Sequence, residues 1–268
     1  MTELTRDRLR VVVLPDRGAM GVAAGAHAAE RLRGILRERA RARVIFAAAA
    51  SQADMLDALA REDGIDWSRV DAFHLDEYVG LARGDRNSFG RWLEEHIWER
   101  VAPGRIELID GGNPDPEAEA RRYGALLADG GIDLGLIGIG ENGHLAFNDP
   151  HVADFADPLT VKTVEIDDTS RNQQVRDGAF ETVDDVPRLA LTVTMSAILG
   201  SRSLSVVVPG EQKAAAVRRT LDGPITTDCP ASALRRHPDA VLFLDDAAFA
   251  QADAGTEGRS QEFEEALR

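Results

Sequence analysis

Cysteine and long apolar runs are nearly absent from this sequence. The single cysteine, Cys229, excludes a framework of intramolecular disulfides and fits a reducing compartment. No stretch approaches the roughly 18 consecutive apolar residues of a membrane span, and the opening MTELTRDRLR lacks the apolar core of a secretory signal. We therefore expect a soluble, cytoplasmic protein with no membrane partner.

Basic residues are outnumbered, with 31 Lys and Arg against 46 Asp and Glu, which gives a formal net charge of -15. Such a charge repels polyanions, so nucleic acid is not expected as a partner. A phosphorylated small molecule would need a local group of basic side chains. With 268 residues, 44% of them hydrophobic, the chain can bury a full core.

Short apolar runs alternate with longer helical patterns along the chain. This alternation predicts βαβ units and hence an α/β fold around a mainly parallel sheet. The run LGLIGI is apolar throughout, as expected of a central strand covered on both faces. We expect one domain over residues 1–250 and a short tail over residues 251–268, with a short helix after the last strand. Strands are predicted at 8–14, 43–48, 70–75, 105–109, 134–139, 188–194, 203–208 and 240–244, and helices at 18–40, 51–61, 88–100, 114–128 and 211–221.

Polar residues directly follow several of these strands. In a parallel sheet the ligand lies outside the carboxyl ends of the strands, so residues at these positions share one crevice although they are distant in sequence. The candidates at these positions are, in chain order, Ser51, Asp76, His144 and Lys213.

Asp76 and His144 are the candidates for proton transfer. The strand ending in AFHLDEY delivers a carboxylate that can take a proton from a carbon next to a carbonyl, although a capping role for Asp76 is about as common. A lone histidine is more often structural or solvated, but Asn142 and Asp149 lie close enough in sequence to orient the His144 imidazole. Tyr78 is interpreted as a packing residue with its hydroxyl at the rim.

Lys213 and Ser51 are the candidates for binding an anion. Lys213 begins a helix after a glycine turn, which combines the N–H groups of a helix N-terminus with a mobile ammonium. A surface lysine is the commoner outcome, but the chain contains only one other lysine, Lys162. Ser51 is expected to cap the helix that it begins and to offer its hydroxyl to the same anion. Arg176 lies in DDTSRNQQVRD, which by composition alone predicts a solvated helix.

The segments VDAFHLDEYVGL, LIGIGENGHLAFNDP, VEIDDTSRNQQVR and VVVPGEQKAAAV carry a family resemblance. In this order and spacing they resemble the glucosamine-6-phosphate deaminase family, related to the 6-phosphogluconolactonases, over residues 44–244. The resemblance implies a Rossmann-like, doubly wound fold with helices on both faces of the sheet, and it implies no metal and no other cofactor. It also implies that Asp76 moves a proton between C2 and C1 of the opened sugar, that His144 opens the ring with Asn142 and Asp149 as orienting partners, and that Arg176 and Lys213 clamp the phosphate.

The sequence departs from the family's pattern in three places. Alanines at 47–50 replace the glycine-rich phosphate loop of many members, so the close approach of backbone to phosphate is expected to change. Asn142 stands where some relatives have aspartate. Asp149 stands where glutamate is common, which shortens the reach to His144 by one methylene.

The leading hypothesis is aldose–ketose isomerisation of an amino-sugar 6-phosphate with loss of ammonia. The alternative is hydrolysis of a sugar-phosphate lactone, in which His144 would activate water and Asp76 would have no task as a carbon base. A non-catalytic sugar-phosphate sensor is a third interpretation, and the two acid/base candidates argue against it. The sequence leaves the sugar epimer open, and its alanine-rich helices fit the core of a monomer as well as the interface of a homo-oligomer.

Overall fold

The computed structural model describes residues 1–252 of the chain. Its strands are β1 Thr2–Arg6, β2 Leu9–Leu14, β3 Ala42–Phe46, β4 Val70–His74, β5 Asp76–Tyr78, β6 Arg105–Glu107, β7 Leu134–Ile137, β8 Val161–Glu165, β9 Leu189–Val193, β10 Ser203–Val208 and β11 Ala240–Asp245. In the described part, eight of them form a sheet in the order β1-β2-β11-β10-β7-β3-β4-β6. Only β1 and β2 pair antiparallel in this sheet, and every other neighbouring pair is parallel.

The helices connect these strands, and several begin at polar caps. They are α1 Arg17–Glu38, α2 Ala53–Leu59, α3 Phe89–Leu93, α4 Glu99–Val101, α5 Pro116–Ala128, α6 Asp168–Arg176, α7 Met195–Leu199, α8 Ala214–Asp222 and α9 Asp246–Phe249, with a π-helical turn at Glu94–Trp98 between α3 and α4. Asp16 caps α1, Ser88 caps α3, and Asp115 caps α5 ahead of a proline at its first position. None of the helices within residues 1–252 is both long and apolar enough to cross a membrane.

The large sheet separates two hydrophobic cores. Side chains along β2 alternate between them, with Val11 and Val13 in one core and Val12 and Leu14 in the other. Helices α1 and α2 bury residues in the second core, and α5 and α8 bury residues in the first. The predicted α/β fold, with a mainly parallel sheet and helices on both faces, is confirmed.

A small antiparallel sheet of β5, β9 and β8 stands beside the end of β4. The residue between β4 and β5, Leu75, joins the two sheets, because its N–H donates to the Phe46 carbonyl and its own carbonyl accepts from the Val193 N–H. The next residue, Asp76, lies opposite Thr192 in the small sheet. Asp76 is therefore held by backbone pairing immediately after the carboxyl end of a parallel strand.

Several sequence predictions need correction. The short strands β1, β5 and β8 were not predicted, and the strand predicted at 188–194 belongs to the small antiparallel sheet. The prediction that Ser51 caps a helix is wrong. Residues Ala50–Gln52 form a 3₁₀ turn instead, and α2 begins at Ala53 with no side-chain cap. The helix expected after the last strand is confirmed as α9, and residues 253–268 of the predicted tail lie outside the described residues.

Candidate active site

A pocket lies beyond the carboxyl ends of β3, β4, β7 and β10, at the edge of the sheet where a parallel fold places its ligand. Four of the seven candidate residues line it: Ser51, Asp76, His144 and Lys213. The wall also includes Gln52, Phe89, Phe147, Gln173 and Gln174. Asn142 and Asp149 are bonded to each other behind His144, and Arg176 is not among the lining residues.

The His144 imidazole is held from behind by a network of hydrogen bonds. Its Nδ1 lies 2.9 Å from Oδ1 of Asp149 and 2.9 Å from the Ser170 hydroxyl. The Asn142 side-chain Nδ2 donates to the same Asp149 oxygen at 2.9 Å, and the Asn142 side-chain Oδ1 accepts from the His144 backbone N–H at 3.0 Å. Asp149 therefore reaches the imidazole directly despite its shorter side chain, whereas Asn142 acts on the carboxylate and the backbone.

Asp149 is fully buried. Burial alone would raise the pKa of the Asp149 carboxyl, but the hydrogen bond and charge of His144, with further hydrogen bonds from Asn142 and Ser170, hold this pKa well below its usual range. The second oxygen, Oδ2, accepts from the Asp167 backbone N–H at 3.0 Å. Asp149 is therefore a carboxylate over the physiological range and can only accept hydrogen bonds.

The His144 imidazole occupies the space that a side chain at Gly140 would fill. A Cβ atom at this position would lie 2.1 Å from Cε1, 2.2 Å from Nε2 and 2.5 Å from Cδ2 of His144. The ring therefore packs directly against the glycine. Gly140 of GIGENG is needed for this close approach because it has no Cβ, while Gly143 adopts a positive φ of 91° in the same loop.

We expect Gly140→Ala to destabilise the protein by about 1–3 kcal/mol, the usual cost of forcing a methyl group into a packed site. Urea unfolding followed by circular dichroism measures the change. Gly34→Ala is the matched control, because its Cβ would meet nothing closer than an arginine side chain at 3.7 Å. An equal effect of the two substitutions would contradict the packing of the imidazole on Gly140.

Asp76 lies deep in the pocket and is only 8% exposed. Its carboxylate has no hydrogen-bond partner among residues 1–252. Burial raises the pKa of Asp76 well above its usual value, and the neighbouring charge of Glu77 adds to this effect. A largely buried carboxylate that makes no hydrogen bond is a stronger base than an ordinary aspartate, as proton abstraction from carbon requires.

Glu77 and Tyr78 point away from this chemistry. Glu77 accepts hydrogen bonds from the backbone N–H groups of Tyr78, Phe89 and Gly90, so it anchors the start of α3. Burial nevertheless raises the pKa of Glu77 to about 7. Tyr78 packs against Phe89 and Phe147, as predicted. Its hydroxyl is buried and has no hydrogen-bond partner among the described residues, so the prediction of a hydroxyl at the rim is wrong.

Lys213 is the cationic residue among those that line the pocket. The residue is 5% exposed, and its ammonium makes no hydrogen bond or ion pair with another part of the described chain. Burial lowers the pKa of Lys213, while the charges of Asp177 and Glu141 act in the opposite direction. An anion in the pocket would supply the partner that this buried ammonium lacks.

Arg176 is engaged elsewhere. Its guanidinium forms an ion pair with Glu141, and its side chain is 51% exposed. The helix that carries it, α6, was predicted to be solvated, but Ser170, Arg171 and Gln173 of this helix are buried. They face the loop after β7 and the chain near Val183, because Gln173 accepts from the Glu141 N–H and Arg171 donates to the Val183 carbonyl.

Sequence reasoning missed four polar residues of the site: Ser170 behind His144, and Gln52, Gln173 and Gln174 in the pocket wall. Ser170, Gln173 and Gln174 lie on α6, in a stretch of polar composition that gave no sign of which face is buried. Gln52 is fully buried in the pocket wall, and its Nε2 donates to the Ser51 hydroxyl at 3.2 Å, while its Oε1 has no partner within residues 1–252. The only sequence signal for Gln52 was its place at a strand exit beside Ser51.

Within residues 1–252, no three His, Cys, Asp or Glu side chains are gathered as a metal site would need. Catalysis without a metal or other cofactor remains an expectation from the family resemblance.

Comparison with known proteins places this chain in one family. The family of glucosamine-6-phosphate isomerases and 6-phosphogluconolactonases matches residues 15–243. A glucosamine-6-phosphate deaminase of Arthrobacter sp. (strain FB24) is 36% identical over 246 residues, which cover 90% of this chain and 91% of that protein. A glucosamine-6-phosphate deaminase of Exiguobacterium sp. (strain ATCC BAA-1283 / AT1b) is 36% identical over 202 residues, 75% of this chain and 78% of that protein.

Solved structures of two proteins have a similar fold. A monomeric glucosamine-6-phosphate deaminase superposes with a TM-score of 0.83 at 29% identity, over 90% of this chain and 99% of the other. A 6-phosphogluconolactonase from Shewanella baltica OS155 superposes with a TM-score of 0.73 at 19% identity, over 91% of this chain and 99% of the other. At this identity, the similarity supports the fold alone. The chain is thus an enzyme, and it belongs to the glucosamine-6-phosphate isomerase and 6-phosphogluconolactonase family.

Proposed function

We propose that this enzyme converts an amino-sugar 6-phosphate, glucosamine 6-phosphate or a close epimer, to the ketose 6-phosphate and ammonia. The observation that carries the proposal is the unpaired, deeply buried carboxylate of Asp76 in the same pocket as His144 and Lys213. Isomerisation requires a base that removes a proton from carbon. Hydrolysis of a lactone does not, so the second activity of the family would leave Asp76 unused.

Ring opening is the proposed task of His144. Nδ1 faces Asp149 and Ser170, which leaves Nε2 for the substrate. The imidazole takes the proton of the C1 hydroxyl and returns a proton to the ring oxygen as the C1–O bond to that oxygen breaks. Asp149 stabilises the positive charge that the imidazole carries between these two transfers.

Asp76 then acts on the open aldehyde. It removes the C2 proton to give an enolamine and delivers a proton to C1, which leaves an iminium at C2. Water adds to this carbon, the C2–N bond breaks, and ammonia leaves with the formation of the ketone. Lys213 is the proposed contact of the phosphate, with Ser51 in the wall of the same pocket and Arg176 joining after release from Glu141.

We expect purified protein to release ammonia from at least one amino-sugar 6-phosphate without added metal or nucleotide. A coupled ammonia assay over a panel of epimers measures this release, and 6-phosphogluconolactone is the comparison substrate. The proposal is wrong if the panel yields no ammonia while the lactone is opened rapidly.

A further inference from the structure

Ser170 contacts both His144 and Asp149. This serine lies on α6 and is 1% exposed. Its hydroxyl oxygen is 2.5 Å from Oδ1 of Asp149 and 2.9 Å from Nδ1 of His144. The carboxylate, the hydroxyl and the ring nitrogen therefore form a closed triangle, and the imidazole is held by two elements, the loop after β7 and helix α6.

The donors and acceptors of this triangle can be assigned. Asp149 is ionised and only accepts hydrogen bonds. The short contact from Ser170 to Asp149 uses the single hydrogen of the hydroxyl, so the serine oxygen faces His144 as an acceptor. Both neighbours of Nδ1 then accept, and Nδ1 must carry a proton. In the neutral imidazole, Nε2 is consequently the unprotonated nitrogen.

We propose that Ser170 is a positioning residue for His144: its hydroxyl, bonded to Asp149, fixes the tautomer and the orientation in which Nε2 faces the pocket. The hydroxyl supplies a second acceptor for the Nδ1 proton at the same 2.9 Å as the carboxylate. This matters here because Oδ1 of Asp149 is shared among three donors, which include the Asn142 amide at 2.9 Å.

The first test needs no substrate. Protein labelled with ¹⁵N in its histidines is examined by NMR through the two-bond couplings of each ring, and His144→Gln identifies the signals of His144. We expect the protonated-Nδ1 tautomer for the neutral ring in the wild type. We expect a mixture of tautomers or a broadened signal in Ser170→Ala. A protonated Nε2 in the wild type overturns the assignment, even if no serine variant folds.

The second test is kinetic and rests on the proposed deaminase function. Ser170→Ala is expected to lower kcat by roughly ten- to a hundredfold, the usual effect of removing an orienting partner, with KM changed by less than about twofold. Ser170→Thr, which keeps the hydroxyl, should recover most of the lost kcat. Asn172→Ala on the same helix is the control, because the Asn172 side chain is exposed and donates to the Asp168 backbone carbonyl, away from His144.

Two kinetic results contradict the proposal. One is a wild-type kcat in Ser170→Ala. The other is a rise of KM without a fall of kcat, which would make Ser170 a substrate-binding residue. If the wild type has no deaminase activity, the proposed function fails, and the NMR measurement still decides the role of Ser170.

Discussion

Replacing Asp76 by asparagine is expected to lower kcat by on the order of 10²- to 10⁴-fold and to leave KM nearly unchanged. The amide has the shape of the carboxylate but not its basicity. Because the Asp76 carboxylate makes no hydrogen bond among residues 1–252, the substitution breaks no contact there. Ammonia release measures kcat, and Asp129→Asn, at an exposed position after α5, is the control.

The same substitution should change stability in the opposite direction. The folded-state pKa of Asp76 is raised above its unfolded value, mainly by burial. Its contribution to stability is therefore fully present below the unfolded pKa, about 3.9, and is lost as the pH rises through the folded pKa. Asparagine carries no charge at any pH. The melting temperature of Asp76→Asn should thus exceed that of the wild type by a margin that widens as the pH rises above the unfolded pKa. A constant margin would contradict the burial of an unpaired charge.

Lys213→Ala is expected to weaken binding of the phosphorylated substrate by about 1.5–3 kcal/mol, the value of a charge-assisted hydrogen bond. A protein with a net charge of -15 repels a dianion at long range, but screening over about 8 Å limits that effect, so direct contacts decide recognition. Lys213 is the buried, unpaired cation of the pocket. The phosphorylated sugar should be affected far more than its dephosphorylated analogue.

Arg176→Ala should act in the same direction but less strongly. Arg176 is half exposed and must first leave Glu141, so part of what it gains from a phosphate replaces an existing ion pair. Titration calorimetry with phosphorylated and unphosphorylated ligands compares the two variants. Lys162→Ala is the control, since Lys162 bonds to Asp157 and the Val152 carbonyl outside the pocket. An equal loss of affinity for both ligands would show that neither residue contacts the phosphate.

The parts of the site that depend on strand order could be predicted from sequence. Apolar runs located the ends of β4, β7 and β10, and the rule that ligands lie beyond the carboxyl ends of parallel strands then brought Asp76, His144 and Lys213 together. Each of these residues lies within a few positions of a strong local signal.

The remaining features depend on tertiary geometry that local patterns do not contain. Ser170 reaches His144 only because α6 packs over the loop after β7, and the polar composition of α6 gives no indication of that face. Arg176 is drawn to Glu141 by the same packing. The capping preference of Ser51 is overridden because the Gln52 N–H bonds to the Ala49 carbonyl and closes a 3₁₀ turn first.

Proton transfer between C2 and C1 is the central claim, and turnover in deuterium oxide tests it most directly. With glucosamine 6-phosphate, or the epimer that releases ammonia fastest, NMR of the ketose 6-phosphate should show deuterium at C1 to the extent that Asp76 exchanges its proton with solvent. Substrate labelled with deuterium at C2 shows any direct transfer in ordinary water. Both signals should fall in Asp76→Asn in proportion to kcat. A product formed with neither solvent deuterium nor the C2 label at C1, or wild-type exchange in Asp76→Asn, would contradict the account.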